Sequence, residues 1–434
     1  MILVMKHWYM VPVLSAAAFA ASVPTQPTFH KDVLPILQNR CQECHRPGEI
    51  APFSLLSYKD ARPWAKAIRS DVLNKKMPPW FADPAYGHFS NDRSLSKAEI
   101  DTLVAWVDGG AKEGDAKEGP APRQFLDGWN IGKPDVVIQM KEPFHVPATG
   151  EVPYQYIVMP TNFTEDKWVQ QVEVRPTDRS VVHHLVVFIR DPKSKWLRDA
   201  EPGLAFVPPG KSDFNNISGG GNEILTIYTP GMVPDSWHPG LAKMIKAGSD
   251  LVVQIHYTSN GKKAADDLSK VGIVFAKEEP TERAITLGTF NLSFKIPPGD
   301  PNFKVEGKSP LPNGATIISF FPHMHLRGKA FEYTAVYPDG KTETLLRVPK
   351  YDFNWQLDYR LAQPLVLPPG SRVIGDAWFD NSPNNPANPD PKAEVKFGEQ
   401  SWEEMAIGFF DAVIPAKMQL REFFRTPAPK KDGD

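Results

Sequence analysis

Val181-Val182-His183-His184-Leu185-Val186-Val187-Phe188-Ile189 is the stretch whose reading decides the fold. It is short, apolar outside its two histidines, and dominated by β-branched residues, the composition of a strand rather than of a helix. Working outward, the same texture recurs at Asp135 to Met140, Leu251 to Thr258, Ala315 to Phe321 and Arg372 to Phe379, mostly bounded by Gly, Pro, Asn or Asp. Strands that follow one another without helical stretches between them predict antiparallel β architecture, in sandwiches or barrels, for residues 126–428. Roughly 300 residues exceed one sandwich of about 100, so two are expected, 126–280 and 281–428, jelly-roll-like, parted near Glu278-Glu279-Pro280.

Composition agrees. Proline, at 44 of 434 residues, is about twice its usual share and argues against long helices. With 41% hydrophobic and 23% charged residues the chain has apolar mass for several cores. Its 49 basic and 51 acidic residues leave a net charge of −2, which excludes an electrostatic footprint for nucleic acid. The two cysteines allow at most one disulfide.

The first 22 residues read as a secretory signal: Lys6 and His7, an apolar run from Val11, then the small residues Ala18 to Ser22. The run is too short to span a bilayer comfortably, and no later segment reaches 18 apolar residues. A periplasmic or secreted protein with no membrane span after cleavage is expected, an uncleaved anchor being the alternative.

Residues 24–112 are the helix-friendly part. Thr28 to Gln38 fits a short amphipathic helix. In Leu95 to Val107, Ser96 can cap and Glu99 completes a capping box, while Ile100, Leu103, Val104 and Val107 form one stripe that Gly109-Gly110 ends. The polar stretch 113–125 reads as a linker, and residues 429–434 as a disordered tail.

Cys41-Gln42-Glu43-Cys44-His45 has the C-x-x-C-H pattern of c-type haem attachment, in which two thiols form thioethers to the haem vinyls and the adjacent imidazole reaches the iron. The competing readings are a redox dithiol and a chance match. A dithiol does not require His45, and no βαβ pattern surrounds this one. Both cysteines of the chain fall inside the motif, so one covalent haem c is expected. Met77, on a proline-stiffened loop, is the expected second axial ligand, with His88 as its rival and a buried core methionine as the bland reading. In motif order and length, residues 24–112 resemble a small all-α monohaem cytochrome c domain.

The β region carries His145, His183, His184, His238, His256, His323 and His325. His323 and His325 stand two apart, which on a strand places both on one face. His256 falls in phase with Gln254 and Thr258, a pattern that fits a solvent-facing histidine equally well. Neighbouring His183 and His184 should point to opposite faces, and binding one metal through both requires a strand end or a local distortion. Taken singly, each is more often a structural residue than a ligand. An HH pair and an HxH pair in a histidine-poor chain shift that balance.

His183-His184, Gln254-Ile255-His256-Tyr257, His323-Met324-His325-Leu326-Arg327-Gly328-Lys329 and Glu403-Glu404-Met405, in that order, resemble the copper type II, ascorbate-dependent monooxygenases. That group contains dopamine β-hydroxylase and peptidylglycine α-hydroxylating monooxygenase. Tyr351 to Gln356 also looks like a family segment, and the resemblance spans residues 130–425. It implies two copper ions on two β-sandwiches facing a solvent cleft. His183, His184 and His256 would hold the electron-transfer copper. His323, His325 and Met405 would hold the copper that meets dioxygen and substrate, and are the catalytic set. A thioether biases that second site towards Cu(I). The implied activity is hydroxylation of a C–H bond of a small organic substrate with O2, electrons arriving singly from ascorbate or a redox protein, with the attached haem as a further candidate route. The alternative is an electron-transfer or copper-binding protein that hydroxylates nothing. The HxHLxG(K/R) form is closer to the dopamine-type branch. Phe321 stands where the peptide-amidating branch has an arginine, which argues against a glycine-extended peptide.

Overall fold

A computed structural model describes residues 26–126, 128–208 and 222–425. The expected signal, 1–22, and the tail, 429–434, lie outside the described residues. The described chain is mostly β with few helices, and no described helix is long and apolar enough to cross a membrane.

The deciding stretch forms the strand Val182–Arg190. It lies in a four-stranded antiparallel sheet ordered Gln155–Pro160, Asp250–Tyr257, Val182–Arg190, Glu223–Tyr228. Ile157, Leu185, Val187, Val253 and Ile255 of this sheet pack against Val172, Val174, Val271 and Ile273, carried by Lys167–Arg175 and Lys270–Phe275 of a second sheet. The outer face is covered too: Tyr156, Val186, Phe188 and Val252 pack with Trp196. Burial on both faces explains why the stretch shows no apolar–polar alternation.

A second core gathers Leu287, Val305, Ile317, Phe320, Phe331, Tyr333, Val373, Phe379 and Phe410. Its strands Phe303–Leu311, Ser371–Phe379, Gly328–Val336 and Thr342–Val348 pair in that order, and Glu282–Phe290, Ile407–Pro415, Ala315–His323 and Tyr359–Leu367 form the other run. The expected boundary at Glu278-Glu279-Pro280 is bridged by strand pairing. Leu241 and Ala242 pair in parallel with Glu282 and Arg283, so one 13-stranded sheet runs through both cores. Strand edges left open on either side of a short connection satisfy their N–H and C=O groups by pairing.

The chain divides into two compact units. One comprises residues 26–42, Leu55–Pro78 and Leu95–Ala121, and holds the longest helices, Leu34–Arg40, Ala65–Leu73 and Lys97–Asp108. The capping box is present, with the Glu99 N–H donating to Ser96 Oγ (3.2 Å) and the Ser96 N–H to Glu99 Oε2 (2.7 Å). The buried stripe is Thr102, Leu103 and Trp106 rather than Ile100, Leu103, Val104 and Val107. Trp106 turns inward because its indole N–H finds the Lys112 carbonyl at 2.9 Å. The expected linker 113–125 is partly structured: Ala116–Glu118 is a 3-10 turn, and the Ala121 carbonyl accepts from Gln38.

The other unit holds both cores and also Glu43–Ser54 and Pro79–Ser94, two segments of the expected cytochrome-like region 24–112. Pro79–Ser94 runs beside Tyr359–Leu367. Ser90 N–H donates to the Arg360 carbonyl, Ala362 N–H to that of His88 (both 2.8 Å), and Trp80 and Phe89 pack on Tyr359. In Glu43–Ser54, Glu49 pairs with Arg46, Arg175 and Arg179. Backbone pairing and a half-buried ion cluster, neither visible as periodicity, decide both placements.

Candidate metal centre

The histidine pair meets its geometric difficulty with a bulge. Val182 pairs with Tyr257 and His184 with His256, so His183 is the extra residue in that register slip. The two Nδ1 atoms then lie 3.0 Å apart, close to the roughly 3 Å between two nitrogens bound at about 2 Å to one metal. Ring centroids of His183, His184 and His256 are 5.0–5.3 Å apart, and one ligand atom from each fits within 4.8 Å. His256 is only 7% exposed, so its polar phase reflects a buried polar site and not a solvent-facing one.

The strand Ala315–His323 ends at His323, and His325 lies in the turn beyond it, so their two-residue spacing is not strand alternation. Their rings nevertheless meet edge to face at 5.2 Å. Two features hold the turn. The buried Glu404 carboxylate accepts the N–H groups of His325 (2.9 Å) and Arg327 (2.6 Å), and the Tyr351 hydroxyl donates to the Met324 carbonyl at 2.7 Å. Burial pushes the Glu404 carboxyl up to about 8.

Hydrogen bonds select which imidazole nitrogen stays available. His323 Nδ1 faces Gln356 Oε1 at 2.6 Å and His325 Nδ1 faces the Glu403 carbonyl at 3.2 Å. Each acceptor takes an N–H and leaves the lone pair on Nε2. His256 is reversed, with Nε2 3.0 Å from Ser401 Oγ. His325 Nε2 and His256 Nδ1 are then buried with no hydrogen-bond partner, the condition of a ligand atom. Burial lowers the pKa of every ring, to about 4 for His183 and His323 and well below the ordinary value for His184, His256 and His325, with the neighbouring histidines adding to it in four of the five. All five are therefore neutral at physiological pH, the form that binds metal.

The two sets do not face each other across solvent. His184 and His323 are 5.4 Å apart by ring centroid, and the buried Tyr154 ring lies 4.6 Å from His256, 5.5 Å from His184 and 6.5 Å from His325. Five histidines make one buried array. Met405 packs with Phe321, Ile407 and Phe409, as a core methionine would. It also lines, with His184 and His323, a cavity of about 290 Å³ walled by Val186, Ile224, Phe290 and Phe409. His145 pairs with Asp266 on the surface, and the exposed His238 faces the Pro239 carbonyl. Neither joins the array.

Cys41 caps the helix Leu34–Arg40, and Met77 N–H reaches the Asp71 carbonyl at 3.4 Å, both in the first unit. Cys44, His45 and His88 belong to the second. Neither cysteine is in a disulfide. Burial raises the Cys44 thiol and lowers His45, whose Nδ1 faces the Phe53 carbonyl at 3.2 Å and so leaves Nε2 to accept.

Gln356 and Glu404 lie in the family-like segments Tyr351 to Gln356 and Glu403 to Met405, and neither segment marks a role for them. Tyr154 and Ser401 carried no signal at all.

No protein-family model and no curated protein matches the chain. Among solved structures, it is similar to the major capsid protein P2 of bacteriophage PM2 at 10% identity, covering 64% of this chain and 97% of that one, with a TM-score of 0.24. PNGF-II, at 10% identity, covers 64% and 65% with a TM-score of 0.27. PBCV-1 VP54, at 6% identity, covers 67% and 95% with a TM-score of 0.26. Similarity this low carries no argument about function.

Proposed function

We propose that the β unit is a copper-dependent monooxygenase of the type II, ascorbate-dependent kind, hydroxylating a C–H bond of a small organic molecule with dioxygen. The observation that carries this reading is the array itself: five neutral imidazoles from separate stretches, beside a cavity that Met405 also lines. The donor set suits copper, with imidazoles that serve both oxidation states and one soft thioether. His183, His184 and His256 would hold one ion, and His323, His325 and Met405 the other. Copper bound there supplies one-electron redox chemistry and activation of dioxygen.

The chain's own groups do the rest. Gln356 and the Glu403 carbonyl fix the His323 and His325 rings with Nε2 as the available nitrogen. Val186, Phe188, Ile227, Phe290, Phe321 and Phe409 line the cavity, exclude water and suit an apolar molecular body, while Gln254, Tyr154 and Glu399 offer polar contacts for orientation. For the haem, Cys41 and Cys44 would carry the thioethers, His45 would present Nε2, and Met77 or His88 would be the second ligand. A haem held by these residues would supply one-electron redox chemistry. The signal-like N-terminus supports export to the periplasm or beyond.

Copper and haem are quantified on the full chain beside Met405→Ala and His323→Ala. About two coppers and one haem are expected, each variant losing about one copper with haem unchanged. Wild type without copper overturns the reading. A second reading, an electron-transfer or copper-binding module, rests on the three-histidine group, whose ligand atoms lie within 4.8 Å of one another. Oxygen-dependent product formation separates the two.

A further inference from the structure

The three-histidine set is not completed by the core that carries it. His256 Nε2 takes its partner, Ser401 Oγ at 3.0 Å, from the segment 399–405 that also supports the other set. That segment is tightly held: the Glu403 carbonyl faces His325 Nδ1, the Glu404 carboxylate bridges two backbone N–H groups, and the Trp402 carbonyl accepts from the Arg327 guanidinium at 2.9 Å. Ser401 Oγ is therefore held in place beside the His256 ring. A neutral imidazole has one N–H and one lone pair. With Ser401 Oγ accepting from Nε2–H, the lone pair stays on Nδ1, which is buried and has no hydrogen-bond partner. No backbone carbonyl or carboxylate is seen to do this for His256, as the Glu403 carbonyl does for His325.

We propose that Ser401 is a positioning residue for the three-histidine metal set, reaching across from the segment that carries Met405 and fixing the tautomer and orientation of His256. The inference rests on the copper reading above. It makes the first set dependent on a side chain that touches neither the metal nor its own core, and places that dependence only four residues from the methionine ligand of the second set.

The test is copper binding to the full-length protein, by competition against a Cu(I) chelator and by the Cu(II) paramagnetic resonance spectrum. The samples are wild type, Ser401→Ala and Ser401→Thr, with haem content and thermal midpoint as controls of folding. Loss of such an outer partner typically weakens metal binding by about 10- to 100-fold. Ser401→Ala is expected to weaken one copper equivalent by that factor and alter its nitrogen hyperfine pattern. The second equivalent stays at wild-type affinity. Ser401→Thr, which keeps the hydroxyl, restores the first. In a His256→Ala background the Ser401→Ala effect disappears. Two equivalents of unchanged affinity and spectrum in folded Ser401→Ala overturn the inference and leave the copper reading intact. A wild type that binds no copper overturns both.

Discussion

Replacing Gln356 by leucine removes the acceptor that faces His323 Nδ1 at 2.6 Å and keeps most of the volume of a side chain that is 1% exposed. Two costs follow. His323 keeps a buried N–H without a partner, about 1–3 kcal/mol of stability. The ring also loses the preference for Nε2 as its available nitrogen, which for an outer-sphere partner amounts to about 10- to 100-fold in metal affinity, or roughly 1.4–2.7 kcal/mol. Gln356→Glu is the informative companion. A carboxylate there accepts the same N–H more strongly and should hold or tighten copper. The assay is chelator competition at neutral pH, with urea unfolding of the metal-free protein alongside. Only the copper equivalent assigned to His323, His325 and Met405 should change. Unchanged affinity of both coppers in a folded Gln356→Leu protein would refute the claim that this contact selects the ligand atom.

The metal-free protein should lose stability on acidification. His183 and His323 titrate near 4 when folded and about 6.5 when unfolded, so the unfolded chain binds more protons below about 6.5 and stability falls from there to about 4. Each ring contributes at most about 3 kcal/mol to that fall; a urea midpoint that does not drop between pH 7.5 and 4.5 contradicts it. Ser96→Ala removes one side of a complete capping box and should cost about 1 kcal/mol, read as an earlier unfolding transition followed by helical circular dichroism. Replacing both Cys41 and Cys44 by serine should abolish covalent haem staining while leaving copper content unchanged, and covalent haem retained in that protein would exclude the pair as the attachment points.

What could be read from residues alone was local chemistry. β-branched runs such as Val182–Arg190 become strands because branched side chains fit a pleated surface wherever it lies. The cap of Lys97–Asp108 is written in two residues three apart. The HH and HxH spacings marked metal chemistry because few other roles favour paired imidazoles. Placement needed the fold. Pro79–Ser94 joins the β unit through backbone bonds to Tyr359–Leu367, and backbone groups are the same in every sequence. The phase of His256 fits a surface histidine and a site histidine equally well, and it is buried because a second layer covers its sheet. Tyr154 and Ser401 reach the array from positions 154 and 401, with contacts made only when distant segments meet. Spacing along a chain reports neighbours within a turn or a strand. Which nitrogen of a ring stays free is set by acceptors that close in only after the chain has folded around it.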